Sequence, residues 1–472
     1  MIANNNKHTN IASKVITDEN TPNSKRNILP NTKKNAWSKN IKKQISNAST
    51  ASSNSTTRNN RKSTNEDNVK VYVRIRPHSK DQSSLPIASS ISAISKKEIH
   101  FDNGGDNNNN GVKKFSVDSV FNTTSTQNNI FVQVGKPVVD SALQGYNGTV
   151  LAYGQTGSGK TYTMLGSPAE PGLIPRVCQY LFSQIDNIQK NSNKVMKKKK
   201  KKQVVENNNN NKSSLIDNKI NVYVSYLEIY QENVLDLLDI ESGKKDLRED
   251  TKKKCVYVDK LVEKEVISPK EAAEWMAIGN TNRKTGSTKM NNESSRSHAV
   301  FTLSLEIHST NKKTGAQTKR TSKINLVDLA GSERQQNTGA TGARLKEGAT
   351  INKSLSALGN VIKSLVSKRN WHVAYRDSKL TFLLRDSLGG NAQTSMIAAV
   401  SPEISNRYES LSTLEFVKRA KCIKNKVVKN EDTIGTNEAL RNQLKMLQQR
   451  NNELESEVLA LKDVVDEDQE QE

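Results

Sequence analysis

The sequence predicts an α/β fold: a P-loop-type central mixed β-sheet flanked by helices, preceded by a disordered N-terminal tail and followed by a coiled-coil helix. Three observations predict it. Strand-like and helix-like stretches alternate from Val69 to Lys421. An apolar run, Gly148-Thr149-Val150-Leu151-Ala152-Tyr153, leads into Gly154-Gln155-Thr156-Gly157-Ser158-Gly159-Lys160-Thr161, and Thr161-Tyr162-Thr163-Met164 can open a helix. This is strand, glycine loop and helix around G-x-x-x-x-G-K-[ST], the phosphate-binding pattern. A second apolar strand, Lys323-Ile324-Asn325-Leu326-Val327, runs into Asp328-Leu329-Ala330-Gly331-Ser332-Glu333, placing an acid and then a glycine at a strand end.

Each element follows in order. Residues 1–66 are rich in Asn, Ser, Thr and Lys and lack apolar periodicity, so they are expected to stay disordered, as a basic tail. Val69 to Arg76 alternates as a strand and ends at Pro77. Residues 79–112 read as surface loops and short strands. Gln127 to Leu143 has helical spacing in Ile130, Val134, Val138 and Leu143, and Leu173 to Ile188 has it in Leu173, Val177, Leu181 and Ile185. A low-complexity insertion at about residues 191–218, with Lys197 to Lys202 and Asn207 to Asn211, reads as a disordered surface segment. The strand Ile220 to Leu227 follows it. Then come a short helix from Asn233 to Leu238, a basic hairpin-like region to about Val266, and a helix from Pro269 to Ile278. Strands at Ala299 to Ile307 and Ser322 to Leu329 alternate with helices near Ile351 to Ser367, Leu380 to Ser387 and Leu411 to Lys421.

The chain carries a net charge of +23 over 472 residues, which points to an acidic partner: nucleic acid, an anionic membrane or an acidic protein surface. Cys178, Cys255 and Cys422 are far apart and show no metal spacing, as expected of reduced thiols in a cytosolic protein. No apolar run approaches the ~20 residues of a membrane span.

The motifs assign a chemistry. In the glycine loop, backbone N–H groups turn inward on phosphate oxygens, Lys160 reaches the β- and γ-phosphates, and the Thr161 hydroxyl ligates Mg²⁺. Asp328 can hold Mg²⁺ through water, and the Gly331 N–H can sense the terminal phosphate and swing away when it leaves. Asn291-Asn292-Glu293-Ser294-Ser295-Arg296-Ser297-His298 gathers hydroxyls and a guanidinium before a strand. Ser295 can ligate Mg²⁺, Ser294 can orient the attacking water, and Arg296 can pair with Glu333 to close the site.

Together with Arg74-Ile75-Arg76-Pro77, Asn352 to Ile362 and Tyr375 to Thr381, these stretches resemble a kinesin motor domain over about Asn68 to Asp432. The resemblance implies ATP as nucleotide and the microtubule as track. It puts Arg74, Pro77 and Tyr162 against the adenine. It makes tubulin the acidic partner, met through the loop Gln335 to Lys346, Lys353 and the stretch with His372, Arg376 and Lys379. Nucleic acid and a membrane span are not expected. Many relatives carry a basic residue where this chain has Phe382; Arg385, one turn on, stands in for it. Residues 67–423 would be the motor and residues 424–436 a neck linker, which the family docks along the motor in the ATP state. Asn430 falls at the latch position, and Glu66 to Lys70 would be the cover strand.

Leu440, Leu444, Leu447, Asn451, Leu454, Val458, Leu461 and Val465 step by four and three, a coiled-coil seam over residues 437–466 that predicts a homodimer; the alternative is a helix folded back on the motor. An acidic end, residues 467–472, follows. The reading is an ATP-driven, plus-end-directed microtubule motor of the cytoplasm and cytoskeleton, with a place on the mitotic spindle. Phe382 to Asn391 and Lys426 to Asp432 look most like class twelve, with class five as runner-up. A non-motile or depolymerising microtubule binder is the alternative, and a GTPase is disfavoured because no Asn-Lys-x-Asp motif follows the switch loops.

Overall fold

The computed structural model describes residues 66–78, 89–102, 111–201, 216–252, 254–289, 294–311, 317–333, 343–367, 372–434, 441, 444–456 and 458. The expectations for the N-terminal tail, residues 202–215 and the acidic end lie outside these residues. The strands used below are β1 (Glu66–Asn68), β2 (Lys70–Ile75), β3 (Ser119–Phe121), β4 (Gly148–Tyr153), β5 (Ile216–Tyr230), β6 (Asn233–Asp236), β7 (His298–Asn311), β8 (Gln317–Asp328), β9 (Gln393–Val400), β10 (Lys424–Lys426) and β11 (Glu431–Ile434). The helices are α1 (residues 127–143, with a π turn at Phe131–Gly135), α2 (Lys160–Met164), α3 (Leu173–Lys201), α4 (Pro269–Lys289), α5 (Ala343–Val366), α6 (Lys379–Leu383) and α7 (Arg407–Ala420).

The sheet runs β6-β5-β7-β8-β4-β9-β2-β3. From β8 to β3 every pairing is parallel; β5, β6, β7 and β8 pair antiparallel, so the sheet is mixed. Successive side chains of a strand point to opposite faces, and the two cores show it. Val71, Val73, Ile75, Leu151 and Tyr153 pack with Leu358 and Ile362 of α5 and Leu414 and Phe416 of α7. Tyr72, Val150 and Ala152 pack on the other face with Ile130 and Val138 of α1 and Val177 and Leu181 of α3.

Three elements differ from the sequence reading. Asn233 to Leu238 is not a helix: Asn233–Asp236 is a strand closing a tight hairpin with β5. Its turn residues Gln231 and Glu232 take φ of +48° and +61° without glycine, so the usual turn signal is missing. The Glu232 carboxylate compensates by accepting the backbone N–H of Lys379 at 2.8 Å, a tertiary bond no local pattern announces. Helix α3 runs on through the lysine run to Lys201, since lysine is a good helix former once a buried amphipathic start exists. Helix α4 likewise continues past Ile278 to Lys289.

The segment after α7 pairs twice with the motor. β10 lies antiparallel to β1, with Glu66 opposite Lys426, and β11 lies antiparallel to β8, with Asp432 opposite Lys319. Residues 444–456 are helical, and Leu444, Leu447, Leu454 and Val458 are exposed. Among the described residues no helix is long and apolar enough to cross a membrane.

Candidate active site

β4 and β8 are parallel neighbours with Asp328 opposite Ala152, so the acid ending β8 stands beside the glycine loop that follows β4. Ligands of open α/β sheets bind at this carboxyl end of the strands. Gly157 and Gly159 take φ of +76° and +99°, which L side chains avoid, and no atom lies within 4 Å of where a Cβ would stand on either. The open space over the loop is the shape a polyphosphate needs. Lys160 is buried, and its ammonium donates to the Gln155 carbonyl at 2.9 Å. Burial pushes its pKa down, while Asp328 and Glu333 pull the other way.

The Thr161 hydroxyl donates to Asp328 Oδ2 at 2.7 Å, and Asp328 Oδ1 is buried with no hydrogen-bond partner. An orphaned carboxylate oxygen beside a hydroxyl fits a hydrated divalent cation. Thr161 and Asp328 would hold Mg²⁺ there, with Ser295 on the facing loop, and the ion would neutralise charge on the phosphates. Among the described residues no group of three His, Cys, Asp or Glu could hold a metal, so such an ion would lean on phosphate oxygens and water.

Across this cup two loops meet. The Gly331 N–H, the expected phosphate sensor, donates to the Ser295 carbonyl at 2.7 Å, and the Ser332 N–H donates to the Gly154 carbonyl at 3.1 Å. The structure does not bring Glu333 to Arg296. It seats Glu333 on the phosphate loop instead, where one carboxylate oxygen accepts the Thr156 N–H at 2.8 Å and the other its hydroxyl at 2.6 Å. Thr156 offers two donors at the loop's crown, enough to hold one carboxylate there. Arg296 ends the short turn Ser294–Arg296 before β7; the Ser294 side chain lies outside the described residues.

At the far side of the loop Arg74 is buried, donating to Gln127 Oε1 at 3.1 Å and to the Thr163 hydroxyl at 2.8 Å, with its guanidinium 5.0 Å from the centre of the Tyr162 ring. Tyr162 is 44 % exposed and Pro77 is exposed, which leaves flat surfaces open to a planar base.

Two residues escaped the sequence reading. Arg283, buried in α4, reaches Glu228 at 3.3 Å, Asp328 at 3.4 Å and the Ser297 carbonyl at 3.1 Å. Burial lowers its pKa, but Asp328, Tyr226 and Glu228 outweigh that and raise it above the ordinary arginine value. It is the buried counter-charge paired with the Asp328 carboxylate. His298 is fully enclosed: Nδ1 accepts the Ala330 N–H at 3.0 Å, which leaves Nε2–H to donate to the Ser354 hydroxyl at 2.7 Å. Burial, with Arg283 and Lys160 nearby, pushes its pKa down to about 3, so the ring is neutral. Arg283 shows as a charge on a buried face once α4 extends to Lys289; His298 closes the Asn291–His298 stretch, but nothing local gives the ring its role.

The residues assigned to the track lie on α5, α6 and the turn before α6. Lys353 and His372 are exposed, and Lys379 is half-buried; the Lys346 side chain lies outside the described residues. Arg376 is exposed, pairs with Glu249 at 2.8 Å, and sits 4.4 Å over the ring of Phe382. Phe382 itself is buried, so it serves as a platform rather than a contact. Arg385 pairs with the same Glu249 at 2.6 Å. Asn430 is held from several sides: its N–H donates to the Gly145 carbonyl at 2.9 Å, its carbonyl accepts from Thr321 at 3.1 Å, and its side chain meets Asn391 at 3.0 Å and Asn147 at 3.2 Å.

A glycine cup, a buried lysine, a strand-end aspartate and two loops closing over them define a P-loop nucleoside triphosphatase. The kinesin motor domain family matches residues 74–423, and the chain belongs to that family. It is 45 % identical over 412 residues to kinesin-like protein KIF15 of Homo sapiens, covering 84 % of this chain and 27 % of that protein. It is 42 % identical over 401 residues to kinesin-like protein KIN-12B of Oryza sativa subsp. japonica, covering 81 % and 33 %. The chain thus spans about a third or less of these relatives, which agree with the class-twelve resemblance. A solved structure described as a fast kinesin matches at TM-score 0.65 and 38 % identity, covering 77 % of this chain and 94 % of that one. Motor domains of this family are microtubule-stimulated ATPases, and this site is built as one.

Proposed function

We propose that the chain is an ATP-driven microtubule motor in which hydrolysis at the Lys160–Asp328 site is coupled to docking of residues 424–434. The observation that supports this best is the docked segment itself. It pairs β10 with β1 and β11 with β8, and Asn430 between them holds Gly145 before β4 and Thr321 of β8, so a change in the sheet can be felt at the linker. In the ATP state the Gly331 N–H would leave Ser295 for the terminal phosphate, with Ser294 orienting the attacking water. Glu333 would then leave Thr156 for Arg296 and close the site. Lys346, Lys353, His372, Arg376 and Lys379 would meet the acidic track, with Glu249 exchanged for tubulin carboxylates at Arg376. Plus-end direction fits a linker that follows the motor. A homodimer fits the exposed seam at Leu444, Leu447, Leu454 and Val458, and the class-twelve relatives favour a place on the spindle.

The test is steady-state ATPase with and without stabilised microtubules at two salt concentrations, with Lys160→Ala as the inactive control. Strong activation that weakens with salt is expected. Turnover indifferent to microtubules would leave the nucleotide site standing and remove the motor.

A further inference from the structure

We propose that the His298 ring is the positioning link through which the track-facing helix α5 sets the phosphate-sensing loop, so that the Ser354–His298 contact carries much of the microtubule stimulation of hydrolysis. The inference rests on the microtubule-stimulated ATPase reading above.

The path is short and made of direct contacts. Lys353 is exposed on the outer side of α5, and the next residue, Ser354, is only 3 % exposed on its inner side. The Ser354 hydroxyl meets His298 Nε2 at 2.7 Å, and Nδ1 on the other edge of the ring holds the Ala330 N–H at 3.0 Å. Ala330 precedes Gly331, whose N–H is held by Ser295 at 2.7 Å. Five residues, Lys353, Ser354, His298, Ala330 and Gly331, therefore run from the outer face of α5 to the sensor amide and are joined through one ring.

That ring is rigid, planar and enclosed, so a shift of α5 either breaks the bond to Ser354 or moves the ring and with it the Ala330 peptide. Close-packed interiors transmit such displacements rather than absorb them. The tautomer is also fixed: with Nδ1 accepting from a backbone amide, Nε2 must carry the proton, and the ring has no free edge for another role. Both ring nitrogens of His298 are engaged by Ser354 and Ala330 rather than by the phosphate cup or the Thr161–Asp328 pair, so it positions and does not take part in the chemistry. Ser297, its neighbour, holds Arg283 and through it Asp328, which places the same strand start at the joint between the metal-side carboxylate and the sensor.

The experiment compares Ser354→Val with Ser354→Thr. Val and Thr share nearly one shape and differ by a methyl against a hydroxyl, so the comparison isolates the hydroxyl that meets His298 Nε2. For Ser354→Val we expect basal ATPase and the half-activating microtubule concentration within twofold of wild type. Its maximal stimulated rate should fall at least fivefold, while Ser354→Thr keeps most of that rate. A merely structural role would move stability and all three parameters together in both variants. Equal stimulated rates in the Val and Thr chains overturn the link. If neither folds, His298→Asn serves, since its amide oxygen can replace Nδ1 toward Ala330 but cannot reach Ser354; undiminished stimulation there overturns the link as well. A wild-type chain that microtubules fail to stimulate removes the underlying reading and this inference with it.

Discussion

The nucleotide site and the linker latch are made of opposite material. Around the phosphate loop the polar groups are charges buried together: Arg283 pairs with Asp328 and with the half-buried Glu228, and Lys160 is close enough to feel Asp328 and Arg283. Around the linker they are neutral amides. Asn391 donates to Asn430 Oδ1 and accepts the Val428 N–H, and Asn147 reaches both the Asn391 carbonyl and Asn430. Asn425, 1 % exposed, has its amide fully used by Ser387, Ala392 and Thr394 and its oxygen by the Gly389 N–H. Buried charges are expensive to separate, which suits a cradle that must hold its shape through every turnover. Neutral amide bonds contribute ~1 kcal/mol each, which suits the docking and release proposed for residues 424–434.

The largest effect should come from breaking the charged set. Arg283→Ala leaves Asp328 and Glu228 in a buried place without their cation, and removing one partner of such a group costs ~3–5 kcal/mol. A chain of this kind should lose several degrees of melting temperature and most of its nucleotide affinity together. Thermal unfolding with and without ATP measures both. An unchanged melting temperature would mean that the site tolerates the loss of the cation, and that the contrast with the latch is overstated.

His298 gives a second, smaller test of the charged region. Its neutrality is imposed by burial and by the cations Arg283 and Lys160, and its pKa of about 3 lies below the ordinary 6.5. The unfolded chain binds a proton at this residue below pH 6.5 while the folded chain does not until about pH 3. Stability from this group is therefore complete above pH 6.5 and is lost as pH falls through that window. Between pH 6.5 and 4.5 wild type should lose about 2 kcal/mol more than His298→Asn, since one proton is worth ~1.4 kcal/mol per pH unit. Denaturant unfolding at the two pH values reads the difference. Parallel losses in both chains would mean that the ring is charged in the folded state.

How legible each region was follows from the same contrast. The phosphate loop and Asp328-Leu329-Ala330-Gly331 are contiguous, because a strand end and the loop after it can shape a phosphate site by backbone geometry alone. Their spacing in the sequence is their geometry. Arg283 was not legible because its partners Glu228 and Asp328 come from two strands and Ser297 from the turn before a third, and its helix runs on to Lys289, about three turns past Ile278. Glu333 was legible as a switch acid but not its partner, since Thr156 is 177 positions away and only the fold brings its N–H and hydroxyl to the carboxylate. Asn233 to Leu238 misread as helix because Val234, Leu237 and Leu238 fit that period, while the turn before it uses Gln231 and Glu232 in place of glycine. Asn430 was found only through family resemblance. An isolated asparagine carries no signal until Asn147 and Asn391 stand beside it.

The latch supplies the smallest and most selective test. Asn391→Ala keeps the backbone carbonyl that Asn147 uses but removes the bonds to Asn430 Oδ1 and to the Val428 N–H, at 3.0 and 2.7 Å. Two neutral bonds at a net ~1 kcal/mol each come to ~2 kcal/mol, or about thirtyfold in the docked-to-undocked ratio. Nothing in the charged set touches Asn391, so microtubule-stimulated ATPase should stay within about twofold while gliding slows. A spin label at Val428, which is 60 % exposed, would report the shift as a larger mobile fraction with an ATP analogue bound. If hydrolysis fell as far as gliding, the two regions would be one cooperative unit. The difference between charges that hold and amides that release would then be a difference in composition only.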